Sequence, residues 1–133
     1  MGAARTVVEQ LIEAINGRDL ERARDLLAGD ARVVTAQGRQ LDADGLRGLV
    51  AETYSAFPDL RITPTRWIEA GDVVATEEVM DATHQGTFAG LAPTGRPVRL
   101  PMVHVHRVVD GRIVERVAYH DTAGILRQLT SPT

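Results

Sequence analysis

The segment that most constrains this chain is Leu100-Pro-Met-Val-His-Val-His-Arg-Val-Val-Asp-Gly-Arg-Ile-Val-Glu-Arg-Val-Ala-Tyr-His-Asp121. Two β-rich runs flank Asp110-Gly111, a dipeptide favoured in two-residue type I′ turns, whose twist matches that of paired antiparallel strands. Such a turn sets the register. Val109 falls opposite Arg112, Val108 opposite Ile113, His106 opposite Glu115, His104 opposite Val117, Met102 opposite Tyr119 and Leu100 opposite Asp121. Opposed residues share a face of a sheet. One face is therefore expected to carry His104, His106, Glu115, Tyr119 and Asp121 among Leu100, Met102, Val108, Ile113 and Val117. Several titratable groups on an otherwise apolar face are the composition of a lined pocket. In this register Asp121 and His104 stand four residues apart along the ladder, roughly 13 Å. The face thus reads as two polar ends with a substrate's length between them.

Upstream of the hairpin the periodicity is helical. Val7, Val8, Leu11, Ile12 and Ile15 form one stripe, and Asn16-Gly17 ends it. Asp19 is placed to cap a second short helix reaching Leu27, with Gly29-Asp30 as its stop. Residues 31–36 read as a short strand. A third helix starts at Asp42 or Asp44, presents Leu46, Leu49, Val50, Thr53, Tyr54 and Phe57, and breaks at Phe57-Pro58-Asp59.

From Leu60 the period changes to two. Residues 60–69 read as a strand, and residues 73–88 as a long strand or bulged pair. One face of the latter holds Val74, Thr76, Glu78, Met80, Ala82, His84, Gly86 and Phe88. Residues 91–95 read as a loop, and Thr122 to Leu129 as a closing helix. Helices before antiparallel strands give an α+β class in one domain over residues 1–133. A curved mixed or antiparallel sheet wrapped around the N-terminal helices would make a cone-shaped barrel open at one end.

Composition narrows the chemistry. The 133 residues include no Cys and no Lys, which removes thiolate nucleophiles, disulfides and lysine Schiff bases. Neither serine, Ser55 or Ser131, sits in a Gly-x-Ser-x-Gly elbow. No phosphate loop or dinucleotide fingerprint occurs. A net charge of −3 with scattered arginines argues against a nucleic-acid partner. No apolar run is long enough to span a bilayer and no signal-peptide core opens the chain. The expectation is a cytoplasmic protein with no membrane partner. Chemistry is left to Asp, Glu, His, Tyr or a bound water, which is general acid/base work.

Four segments carry a resemblance: Ile15-Asn16-Gly-Arg-Asp19; Phe57-Pro58-Asp59-Leu60; Thr83-His84-Gln-Gly86-Thr-Phe88-Ala-Gly90-Leu-Ala-Pro93-Thr94-Gly95; and Asp110-Gly111-Arg-Ile113-Val-Glu115, ending at Tyr119-His120-Asp121 before Leu126-Arg-Gln128-Leu129. In order and spacing, over nearly the whole chain, they resemble the SnoaL-like polyketide cyclases of the nuclear transport factor 2-like superfamily. The resemblance implies a conical α+β barrel with a deep pocket between helices and sheet. It also implies a cofactor-free aldol closure, with an Asp at the start of the last helix as general acid/base. Asp121 holds that motif position, and His106 or His104 matches the histidine of the preceding strand. The chain departs from the wider family at Val117, where many members carry a large aromatic, and at His120, where Trp is common.

The candidate catalytic residues are accordingly Asp121, His106 and His104. Asp121 has a second reading as a plain helix cap. His106 is either merely satisfied by Glu115 or oriented by it for catalysis. The substrate-binding candidates are Tyr119, Glu115, His84, Phe88, Trp67, Phe57, Met80 and Met102, whereas His120 reads as a surface or interface residue. No cofactor and no metal are expected. The metal alternative is His104-x-His106 with Glu115 or His84 as third ligand. An apolar outer face of Val103, Val105, Val114 and Ala118 leads us to expect a homodimer or homotetramer. The expected function is a cofactor-free acid/base enzyme of secondary metabolism that cyclises or isomerises a small hydrophobic oxygenated substrate. The alternatives are epoxide or lactone hydrolysis in the same pocket, and non-catalytic binding of a small ligand.

Overall fold

The stripe Val7, Val8, Leu11, Ile12 and Ile15 is buried on α1 (Ala3–Asn16). In the computed structural model, which describes residues 2–132, this helix is followed by α2 (Leu20–Asp25), β1 (Leu27–Val34), β2 (Gln40–Leu41) and α3 (Ala43–Ala56). Then come β3 (Arg61–Ala70), β4 (Val73–Thr83), β5 (Pro97–Val109), β6 (Arg112–His120) and α4 (Thr122–Thr130). The strands form one curved, unclosed sheet in the order β2-β1-β6-β5-β4-β3. The helices close its concave side.

Caps explain where the helices begin. Asp19 accepts from Arg22 N at 3.0 Å, Asp42 from Gly45 N at 2.8 Å and Asp121 from Gly124 N at 3.0 Å. The Asn16 side chain then fixes α1 to the sheet, donating to Ile62 O and accepting from Ile62 N, each at 2.8 Å.

Two strand boundaries differ from the sequence expectation. The second helix stops at Asp25, and Leu27, fully buried, already belongs to β1. It pairs in parallel with Ile113 of β6, so sheet pairing overrides the local helical pattern. The Gly29-Asp30 break lies inside the strand, where the ladder is irregular between Leu27 and Arg32. At the other end, β4 terminates at Thr83 rather than reaching Phe88. The Asp59 carboxylate accepts from both Thr83 N and Thr83 Oγ1 at 2.7 Å. From His84 the chain turns into a loop that returns at β5.

The long β4–β5 ladder is unbroken over eleven pairs, from Val73 opposite Arg107 to Thr83 opposite Pro97. Its concave face carries Val74, Thr76, Glu78, Met80 and Ala82 on β4, as the alternation predicts, and Leu100, Met102, His104 and His106 on β5. The β5–β6 hairpin turns at Asp110-Gly111, with φ of 50° and 76°, as a type I′ turn requires. Its first two pairs, Val109–Arg112 and Val108–Ile113, are the expected ones. Arg107 then pairs with Glu115 and His106 with Arg116.

Val114 is therefore an extra residue in β6, a β-bulge, and every side chain beyond it changes face. Arg116, Ala118 and His120 point inward; Glu115, Val117 and Tyr119 point outward. No helix among the described residues is long and apolar enough to cross a membrane.

Candidate active site

A cavity of about 170 Å³ opens between α3, α4 and the concave face of the sheet. Most of its wall is apolar: Leu46 and Val50 from α3, Phe57 after it, Met80 from β4, Leu100 and Met102 from β5, Phe88 from the 84–96 loop and Ile125 from α4. Its charged or titratable lining consists of His104, Arg116 and His120. These three come together because β5 and β6 pair in the bulged register, with His104 opposite Ala118 and Met102 opposite His120.

Behind them runs a buried polar cluster. Glu78 is 3% exposed, and its Oε2 lies 2.9 Å from His104 Nδ1. His104 Nε2 lies 3.1 Å from His120 Nε2. Arg116 Nη1 donates to His106 Nε2 at 2.7 Å. An arginine only donates, so His106 accepts at Nε2 and, when neutral, carries its proton on Nδ1. That Nδ1 is buried without a protein partner.

Burial governs the charges. It pushes the Glu78 carboxyl up to about 7, against the pull of Arg116 and His120. It holds His104 and His106 well below the usual imidazole range, with the Arg116 charge adding to the effect. Burial, and then Arg116, lower His120 to about 4, with Glu78 opposing. The raised carboxyl and lowered imidazole mark the Glu78–His104 contact as a neutral hydrogen bond around and below neutral pH rather than an ion pair.

The chain Glu78–His104–His120 has two consistent proton arrangements. With Glu78 protonated, its hydroxyl donates to His104 Nδ1, and His104 Nε2–H donates to His120 Nε2. With Glu78 ionised, His104 Nδ1–H donates to the carboxylate, and His104 Nε2 accepts from His120 Nε2–H. Passing between them carries one proton along the chain and breaks no hydrogen bond. His120, at the outer end of the chain, lines the cavity, and its Nδ1 is not engaged by His104.

The bulge corrects several placements. Glu115 is on the outer face, where Arg32 Nη1 donates to it at 3.0 Å, and cannot orient His106. Tyr119 is 60% exposed and lines nothing. His120, read from sequence as a surface residue, lines the cavity. Of the outward residues expected on β6, Ala118 instead lines the cavity and Val114 is the bulge residue.

Phe57, Phe88, Met80, Met102 and His104 line the cavity as expected. His106 lies deeper, behind Arg116. His84 is fully buried but sits outside the lining; its Nδ1 is held by Thr94, and its ring packs 5.8 Å from Phe57. Trp67 lies beneath the Arg5 guanidinium of α1, 4.6 Å from its ring centroid, and also outside the lining. Asp121 is exposed and caps α4. A Cβ at Gly124 would collide with its carboxylate, so the glycine permits this cap.

Among the described residues no three His, Asp or Glu side chains assemble as a metal-holding group. Neither third ligand considered from the sequence reaches the two histidines, since Glu115 faces outward and His84 is held by Thr94.

Sequence reasoning missed Glu78, Arg116 and His120. Glu78 was signalled by its place on the inward face of β4 between Thr76 and Met80. Arg116 and His120 had no such signal, because a turn-set register points both outward.

The family model for SnoaL-like polyketide cyclase matches residues 5–129. Among curated proteins, the chain is 36% identical over 87 residues to the nogalonic acid methyl ester cyclase of Streptomyces nogalater, covering 65% of this chain and 63% of that protein. It is 28% identical over 131 residues to the aklanonic acid methyl ester cyclase AcmA of Streptomyces galilaeus, covering 94% and 89%. Among solved structures, wild-type IdmH from Streptomyces antibioticus superposes with a TM-score of 0.87 at 36% identity, over 95% of this chain and 97% of that one.

Proposed function

The chain belongs to the SnoaL-like polyketide cyclase family, and we propose that it closes a ring in an oxygenated, largely apolar substrate by proton transfer at the His104–His120 pair. The observation that carries this reading is the hydrogen-bonded chain Glu78–His104–His120, which ends on an apolar cavity. With Glu78 ionised, His120 carries its proton on Nε2, and its free Nδ1 removes a proton alpha to a carbonyl, leaving an enolate. The enolate carbon attacks a second carbonyl carbon of the same molecule, a C–C bond forms, and the new alkoxide takes the proton back from His120. The product is an isomer of the substrate, and no redox partner is needed. Glu78 orients His104 and acts as a proton reservoir at the buried end. At about 170 Å³ the cavity is smaller than the roughly 300–1,000 Å³ usual for larger ligands. The reacting ring enters it and the rest of the substrate lies at the mouth.

A second reading gives the proton transfer to Asp121. It is favoured by the motif position of Asp121 and by its two sequence neighbours, His120 and Thr122, both of which line the cavity. One comparison separates the two. Nogalonic and aklanonic acid methyl esters, named for the curated relatives, are offered to the protein and the products are read by mass and absorbance.

The wild type is expected to give a product of unchanged mass. His104→Asn and His120→Asn are expected to lower turnover by about 10²–10⁴-fold, with folding checked by circular dichroism. Asp121→Asn, which weakens a cap worth about 1 kcal/mol, is expected to retain most activity. The reverse pattern would hand the role to Asp121. Failure of the wild type to convert either ester would remove these compounds as substrates, and solvent-deuterium uptake into them would then test the proton transfer by itself.

A further inference from the structure

Arg116 is a charged group at the cavity that the proton chain does not use. It is 9% exposed, lies on the cavity wall and gives one N–H, from Nη1, to His106. No carboxylate pairs with it among the described residues, because Glu78, the buried acid of this face, bonds His104 instead. A guanidinium has five N–H donors in a rigid planar fork. Four of them meet no protein acceptor among the described residues. A buried cation with unused donors beside an apolar cavity is a site for an anion that brings its own carbon frame.

The geometry around Arg116 narrows the anion. On β6 the inward positions run Arg116, Ala118, His120, and the small Ala118 leaves space between the guanidinium and the imidazole. A ligand lying over Ala118 places an oxygen on Arg116 and a carbon against His120. A β-dicarbonyl compound suits this arrangement: its central C–H is acidic, and the enolate left when that proton goes to His120 is planar and spreads one negative charge over two oxygens, which a guanidinium can hold. The depressed basicity of His120 agrees, since a weak base needs an acidic C–H.

Resting on the proton-transfer reading above, we propose that Arg116 binds an enolate oxygen of the substrate, and that the substrate is a β-dicarbonyl compound whose central proton passes to His120 as that enolate forms.

The test uses the whole protein and two small probes in titration calorimetry above neutral pH. Dimedone is then an enolate; its methyl enol ether has the same ring and no charge. With no Cys in the chain, dimedone has no sulfenic acid to capture. The wild type is expected to bind dimedone at least about tenfold more tightly than the ether, as a charge-assisted contact to one enolate oxygen should. Arg116→Met should reduce dimedone to the affinity of the ether. Arg116→Lys, which keeps the charge and loses the fork, should recover part of the difference.

Circular dichroism identifies the folded variants. If Arg116→Met does not fold, the wild-type ligand pair and Arg116→Lys decide the matter. Equal wild-type affinity for the two probes, or undiminished dimedone binding by folded Arg116→Met, overturns the anion assignment and leaves the cavity reading standing. If neither probe binds, a cavity for oxygenated rings falls as well.

Discussion

The β4–β5 ladder and the β5–β6 hairpin share a strand, yet they obey different rules. Along β4–β5 the pairing runs through eleven residues without a break, and period-two alternation alone tells which side chains face inward. Along β5–β6 the same logic holds for two pairs and then fails at Val114. The difference lies in what each pairing must bury. An unshifted β6 would turn Glu115 and Tyr119 into the core and Arg116 and His120 out of it. The bulge sends Glu115 to Arg32 on the surface and brings the cation and the imidazole to the cavity. A regular ladder makes the wall, and an irregular one aims the chemistry.

Two changes test this comparison. Met80→Ala, on the regular ladder, is expected to cost about 2–5 kcal/mol by cavity formation and to leave the Arg116–His106 contact in place. Deleting Val114 is expected to cost less. Glu115 then follows Ile113 directly and still falls opposite Arg107, so Arg116 keeps its place opposite His106 and the ladder becomes regular. The measurements are thermal melts and, for folded protein, the imidazole resonances of His106. A Val114 deletion that fails to fold, or that displaces the His106 signals, would show that the bulge does more than add one residue to β6.

This contrast also explains what could be read in the sequence. The helix stripes, the Asp caps and the inward face of β4 are local or periodic features, and they were legible. So was the Asp110-Gly111 turn, whose positive φ values favour those residues. The bulge was not legible, because Val114 resembles its neighbours and gives no local signal. What accompanies it is distant in sequence: the contact of Arg116 with His106 and the pairing of β1 with β6. Leu27 was misassigned for a related reason: its helical context is local, whereas its pairing partner Ile113 is 86 residues away (113 − 27). Of the hairpin residues named from the sequence, His104 and Met102 on β5 line the cavity. Those named on β6, Glu115 and Tyr119, face outward because of the bulge.

Glu78 offers a quieter test on the regular ladder. Its carboxyl is raised from 4.5 to about 7 by burial, so between those values the folded state holds a proton that the unfolded state has released. Stability from this group is therefore fully present below about pH 4.5 and declines as pH rises through 7. His104, His106 and His120, with lowered values, act oppositely, and their contribution is lost as pH falls below 6.5. Glu78→Gln removes only the first component. Relative to the wild type, the variant should gain about 3 kcal/mol as pH rises from 4.5 to 7, at roughly 1.4 kcal/mol per unit. Denaturant titrations across that range read the difference directly. A difference that stays flat would mean that Glu78 is ionised throughout.

The smallest expected effect lies on the outer face of β6. Glu115 and Arg32 form a 3.0 Å ion pair whose side chains are 38% and 51% exposed, so water and salt screen it. Exposed pairs of this kind contribute about 0–1 kcal/mol. Glu115→Ala should shift the denaturation midpoint only slightly, more at low salt than at high salt, and should leave His106 unaffected. In the unshifted register the same substitution would remove the partner of a buried histidine and cost several times more. A loss above about 2 kcal/mol, beyond what an exposed pair supplies, or a perturbed His106 resonance, would place Glu115 inside after all. A small, salt-dependent change would confirm that one bulged residue separates the chemical face of this hairpin from its surface.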